Sequence, residues 1–235
     1  MQYPKAEKYN NPVFNELIMG PNPIKLEEEL LQKHQIPAGA TVLDLGCGRG
    51  VTSVFLVKEY GFRVFAADLW STPTENQKFF TQVGLSSEQI IALKADAREL
   101  PFADEFFDAV VCTDSYNYFG RDSEYLGTRL LPLLKKGGYL YIAVPGMKQD
   151  CHDHLPPELL LSWTPEQLDY IHDRDYWYNL LAPTPGVEII SISEMESNRE
   201  VWEDWLACEN EYAQNDRKAW TAGAGKYLNF IGMIL

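Results

Sequence analysis

The middle of the chain alternates short apolar runs with stretches whose apolar positions recur at helical spacing. Five runs read as strands: residues 41–45, 63–68, 90–95, 107–112 and 139–144. Helices are expected over 51–60, closed by Gly61, over 72–83, stopped by Gly84, and across the stretch that ends at Lys136 before Gly137-Gly138. Strands that are apolar at nearly every position are buried on both faces, and a parallel sheet under two helical layers provides that. Two later runs, 187–193 and 227–235, are expected to add strands, with a charged, Trp-bearing helical stretch over 199–220 between them. The first forty residues read as one or two helices broken at Gly20-Pro21-Asn22-Pro23. Residues 147–185, rich in proline and aromatics, read as a cap inserted after the fifth strand.

Composition narrows the partners. The chain has 235 residues, 46% hydrophobic and 23% charged, enough to bury a core in a single domain. Its formal charge is −14, with 34 acids against 20 bases and no basic run, which speaks against nucleic acid and against an anionic membrane surface. No apolar run reaches the ~20 residues of a membrane span, and the stretch from Met1 to Glu7 lacks the apolar segment of a secretory signal. Cys47, Cys112, Cys151 and Cys208 are widely spaced, with no Cys-x-x-Cys pair, and read as reduced thiols. A cytoplasmic location is therefore expected.

The chemistry begins where the first strand runs into Gly46-Cys47-Gly48-Arg49-Gly50. A glycine-rich turn between strand and helix lets a ligand approach the backbone beside a helix N-terminus. The dinucleotide fingerprint Gly-x-Gly-x-x-Gly needs its third glycine where Val51 stands here. Asp44 also stands two residues before the first glycine. A second acid, Asp68, closes the second strand 68 − 46 = 22 residues after Gly46, close to the ~20 expected for an acid that binds a ribose.

The string Val42-Leu43-Asp44-Leu45-Gly46-Cys47-Gly48-Arg49-Gly50 resembles motif I of the class I S-adenosylmethionine methyltransferases, and the chain most resembles their type 11, small-molecule branch. Asp68, the run Lys94 to Phe102, the strand Phe106 to Cys112 and Leu134-Lys135-Lys136-Gly137-Gly138 match the family's later elements in order. The resemblance implies a Rossmann-like α/β fold: a seven-stranded, mostly parallel sheet with helices on both faces and a cap after strand five. It divides the one domain into an N-terminal helical segment (1–40), a cofactor-binding core (41–146), the cap (147–185) and a C-terminal helix with strands (186–235). It implies S-adenosylmethionine as cofactor: Gly46, Cys47 and Gly48 at its methionine end with Asp44 beneath, Asp68 on the ribose hydroxyls, Leu69 along the adenine, Asp96 and the Ala97 amide at the adenine edge, and Thr113 nearby.

The segment Thr113 to Tyr118 follows strand four and is expected to face the transferred methyl. It lacks the Asn-Pro-Pro-Tyr type motif that relatives acting on base amino groups resemble one another in, and neither Cys112 nor Cys151 follows proline as a pyrimidine C5 nucleophile would. The expected reaction is methyl transfer to nitrogen or oxygen of a small molecule, with His152, His154 or Tyr116 as candidate base, because imidazole titrates near neutral pH. The run Cys151-His152-Asp153-His154 packs its donors too tightly to close on one tetrahedral metal, so no metal is expected. Trp163, Tyr170, Tyr176, Trp177 and Tyr178 read mostly as cap core, or as a cage for a cation helped by Asp169, Asp173 and Asp175. Met19 to Pro23 is expected to close over the cofactor. The alternatives are C-methylation or methylene transfer to a quinone precursor or lipid, a nicotinamide dehydrogenase, and a cofactor-binding sensor without turnover. Nothing in the sequence speaks to oligomeric state.

Overall fold

A computed structural model describes residues 3–235; Met1 and Gln2, part of the stretch read for a secretory signal, lie outside it. Seven strands form one sheet: β1 (Thr41–Leu45), β2 (Arg63–Asp68), β3 (Ile90–Lys94), β4 (Phe107–Thr113), β5 (Leu134–Met147), β6 (Ser191–Glu194) and β7 (Leu228–Ile234). Their order is β3-β2-β1-β4-β5-β7-β6. The first five run parallel, and β7 is antiparallel to both β5 and β6. Side chains alternate between two cores as a pleated strand requires. Val42, Val64, Ala109 and Tyr141 enter one, whereas Leu43, Phe65, Val110 and Ile142 enter the other. The path leaves β1 towards β3 and returns to β4, so a crevice opens beyond the carboxyl ends of β1 and β4. No helix among the described residues is long and apolar enough to cross a membrane.

Helices of two turns or more are α1 (Pro23–Lys33), α2 (Val51–Tyr60), α3 (Pro73–Gln82), α4 (Arg174–Leu181), α5 (Asn198–Leu206) and α6 (Glu211–Thr221). One expectation failed. The stretch after β4 is no continuous helix but three single turns, Tyr116–Tyr118, Leu126–Leu130 and Leu131–Leu133, and β5 starts at Leu134 instead of residue 139. Pro132 cannot donate within a helix. Gly120 takes the place a side chain would need, with the Tyr116 ring packed against it.

Helix α1 also departs from its sequence pattern. Its charged run is buried: Lys25 is 4% exposed, Glu28 1%, and Glu27 and Glu29 not at all. Buried charges need partners, and each of the four finds at least one on another segment, Glu27 at the Thr113 hydroxyl. Glu28 accepts from the amides of Ala6 (2.7 Å) and Lys5 (3.2 Å). Glu29 accepts from the amides of Ser197 (2.8 Å) and Glu196 (3.1 Å) and pairs with Lys33 (2.9 Å). Lys25 reaches Asp204 (2.9 Å) and Glu7 (3.1 Å). The helix therefore ties both ends of the chain to the sheet. Asn22 caps it, its side-chain oxygen accepting from Ile24 N (3.1 Å) and Lys25 N (3.4 Å).

Candidate functional site: a cofactor cavity joined to an acidic aromatic cavity

Beyond β1 the turn needs its glycines. Gly46, Gly48 and Gly50 have φ of 80°, 52° and 81°, a region other residues seldom enter. A side chain at Gly46 would collide with Ser115, and one at Gly50 with the Phe80 ring. Under the turn lies Asp44, 1% exposed, its Oδ2 accepting from the hydroxyls of Thr52 (2.7 Å) and Ser53 (2.5 Å) in the first turn of α2. Burial pushes its carboxyl up to about 6, although those two hydroxyls pull against the shift.

The turn opens on a cavity of about 420 Å³. Gly46, Cys47 and Gly48 form one wall; Asp68, Leu69, Asp96 and Ala97 another; Thr113, Asp114 and Ser115 the floor; and the segment Leu17 to Pro21 the roof. Asp68 Oδ2 accepts from Gly48 N (3.0 Å), and its Oδ1 from Trp70 N (2.8 Å) and Ser71 N (2.7 Å). A carboxylate has about four acceptor positions, so Asp68 is locked by the backbone and still has capacity towards the cavity.

A second cavity of about 330 Å³ adjoins the first, and Met19, Gly20, Pro21, Asp114, Tyr118 and Tyr170 line both. Seven of the second cavity's lining residues are aromatic: Tyr118, Trp163, Tyr170, Trp202, Trp205, Tyr212 and Phe230. Asp114 and Asp216 are its acids, and no Lys, Arg or His is among its described lining residues. Asp216 is oriented by Trp205, whose Nε1 donates to its Oδ2 (2.9 Å), and burial raises its carboxyl. Asp114 is strained, with φ of 55°. Burial, then the charge of Asp216, pushes its carboxyl up to about 7.

Residues 43–142 match the family described as "Methyltransferase domain". Over those residues the chain carries a class I S-adenosylmethionine-dependent methyltransferase domain. It is 24% identical over 174 residues to methyltransferase GfsG of Streptomyces halstedii, covering 73% of this chain and 61% of that one. Across the first three curated relatives it matches, the chain spans 61%, 44% and 35% of their lengths. Phosphoethanolamine N-methyltransferase 2 of Haemonchus contortus, solved with S-adenosyl-L-methionine, superposes with a TM-score of 0.74 at 16% identity, over 99% of this chain and 56% of that one. Geranyl diphosphate C-methyltransferase of Streptomyces coelicolor gives 0.68 at 16% identity, over 95% and 82%. At such identity the two structures share the fold alone. Their names span N- and C-methylation, so likeness does not choose the acceptor atom.

The cofactor is S-adenosylmethionine, and the methyltransferase cradle fits it by donor chemistry. A sulfonium carries positive charge, and the ribose and adenine offer hydroxyl and amino donors. Asp68, Asp96 and Asp114 present carboxylates along the cavity. Of the residues singled out from the sequence, Gly46, Cys47, Gly48, Asp68, Leu69, Asp96, Ala97 and Thr113 line it, while Asp44 acts from beneath. The Cys47 thiol is buried and stays neutral, pushed up first by burial.

The three candidate bases lie away from this site. His152, His154 and Tyr116 line neither cavity. His154 is exposed. Nδ1 of His152 lies 2.9 Å from Asp150 Oδ1, and its Nε2 3.1 Å from the Leu168 carbonyl. Tyr116 is fully buried in the second core beside Trp177 and Tyr125, and burial drives its hydroxyl far above the usual range. The cage reading divides likewise. Trp163 and Tyr170 line the second cavity, Trp177 is core, Tyr176 stacks on His172, and Tyr178 faces solvent. Asp173 caps α4, while Asp169 and Asp175 pair with Arg121 and Arg174.

Sequence reasoning passed over Asp114, Asp216 and Glu27. Asp114 was within the segment read as facing the methyl, but its left-handed backbone has no local signature. Glu27 accepts from the Thr113 hydroxyl (3.2 Å), and its other oxygen has no partner. Burial, then the nearby Asp44, pushes its carboxyl strongly upward.

Proposed function

We propose that this chain transfers a methyl group from S-adenosylmethionine to the nitrogen of a small amine held in the second cavity. The observation that carries this reading is Asp114, a wall of both cavities, with aromatic rings and a second acid on its far side. The cofactor supplies a methyl group already activated on its sulfonium.

What remains for the protein is to align the acceptor, exclude water and move one proton. The glycine turn and Asp68 would hold the cofactor, with the segment from Leu17 to Pro21, which lines the same cavity, closing over it. The aromatic walls and the carboxylates of Asp114 and Asp216 attract an ammonium ion, since a cation gains from both ring faces and negative charge. The Asp114 carboxylate then takes the ammonium proton and presents the nitrogen lone pair towards the first cavity. Its position near neutrality suits that exchange. Four free thiols fit a reducing compartment, and the cytoplasm is the proposed location.

The test is a screen of small amines, phenols and hydroquinones with S-adenosylmethionine, reading S-adenosylhomocysteine release. Turnover with amines, lost in Asp114→Asn, supports the reading. Turnover with phenols or hydroquinones and none with amines overturns it.

A further inference from the structure

Outside the two cavities the cap brings together Asp150, His152 and His172, and one ligand atom from each comes within 4.8 Å of the others. We propose that these three side chains form a divalent metal site, of the kind two imidazoles and a carboxylate make for zinc, that staples residues 148–154 to the turn before α4.

The decisive residue is His172, which the sequence reading did not single out. It is 8% exposed, and neither ring nitrogen has a hydrogen-bond partner. Burying such a group without a partner costs free energy, and coordination of one ring nitrogen to a cation removes part of that cost. The ring is held from one side by Tyr176, stacked at 3.6 Å and 10°, and its centroid lies 5.2 Å from that of His152.

His152 is arranged as a metal ligand should be. The Leu168 carbonyl, 3.1 Å from Nε2, can only accept and so fixes a proton there, which leaves Nδ1, now in hydrogen-bond contact with Asp150, as the nitrogen that would exchange its proton for a metal. A metal-ligating histidine commonly donates its other N–H to a backbone carbonyl in this way, which orients the ring. Asp150 Oδ1, 2.9 Å from Nδ1, supplies the carboxylate, and half of its side chain is open to solvent, so water can complete the coordination. The tight run at residues 151–154 is therefore not the site: His154 is exposed and takes no part, and the third ligand comes from twenty residues beyond His152.

The staple joins segments that already touch. Met147 N donates to the His172 carbonyl (3.1 Å), and Asp150 N to Asp173 Oδ2 (3.2 Å). Tyr170 and Ile171, immediately before His172, line the second cavity, so a metal here would stiffen its wall without entering it.

The experiment uses tag-free, chelator-stripped full-length protein titrated with zinc chloride by calorimetry and with cobalt(II) by visible absorption. One equivalent should bind, with a cobalt d–d band and a raised Tm. His172→Asn and Asp150→Asn should each weaken binding by about a hundredfold or more, whereas Asp153→Asn should not. Calorimetric binding of S-adenosylhomocysteine reports that each variant is folded, and half-exposed Asp150 gives a variant that leaves the core untouched. No binding at micromolar zinc, or binding that survives both replacements, overturns the site; His172 is then satisfied by water alone.

Discussion

Replacing Asp114 with asparagine separates the catalytic reading from a structural one, because the two predict opposite effects on stability. The Asp114 carboxyl moves from the ordinary 3.8 to about 7, with burial the larger cause and Asp216 the second. A shift of about three units at ~1.4 kcal/mol each is ~4 kcal/mol by which the fold disfavours the ionised form. Because the folded state binds this proton more tightly than the unfolded chain, the contribution of Asp114 to stability is most favourable below pH ~4, falls between ~4 and ~7, and is flat above. Asp114→Asn carries no charge and should gain up to about 4 kcal/mol above pH 7, seen as a Tm higher by several degrees for a chain of this size. The same replacement removes the base, so kcat should fall by about 10²–10⁴-fold. Wild-type kcat/KM should rise tenfold per pH unit below ~7 and level off above, a slope the variant loses. The assays are thermal melts across pH 4–9 and initial rates at saturating cofactor. A variant less stable than wild type at pH 8, or one that keeps its rate, would show that the acid is structural and refute the assignment.

Three other outcomes follow from the geometry. Asp68→Ala should abolish micromolar binding of S-adenosylhomocysteine in calorimetry while the fold persists; unchanged affinity would leave the ribose role without support. Gly20→Ala places a Cβ against Asp114 Oδ2, so kcat should drop with cofactor affinity nearly kept, and equal loss of both would point instead to a displaced roof. Glu29→Ala strips partners from the buried amide of Ser197 and the part-buried amide of Glu196 just before α5, at ~1–3 kcal/mol each, and should lower Tm by about 5–15 °C. Burial opposes ionisation of Glu29, but Lys33 and Ser197 outweigh it and hold the carboxyl below its usual range. Its contribution is thus present above the ordinary glutamate pKa and lost as pH falls through the lowered one, so wild type and variant should converge in acid melts.

The glycine turn and Asp68 were legible because each depends on neighbours in the chain. Strand period, a backbone with positive φ and an acid at a strand end are local facts, and β1, α2 and β2 begin and end where the residue pattern places them. The second cavity was not legible. Its wall is assembled from residues near 20, 114–118, 145, 162–171, 202–216 and 228–230, which only the finished sheet brings together. The same holds for the buried glutamates of α1. A run of charges on a helix reads as a solvated face until the amides of Ala6 and Ser197, 22 and 168 residues away from their glutamates, arrive to satisfy it. His152 and Tyr116 failed as bases for the converse reason: their chemistry is suitable, but the cap turns one towards Asp150 and Leu168 and the core encloses the other. Periodicity and turn chemistry determined the cofactor half of this protein, because backbone geometry is a short-range property. Long-range packing alone decided the second cavity, because burial and charge at a point depend on every segment that meets there.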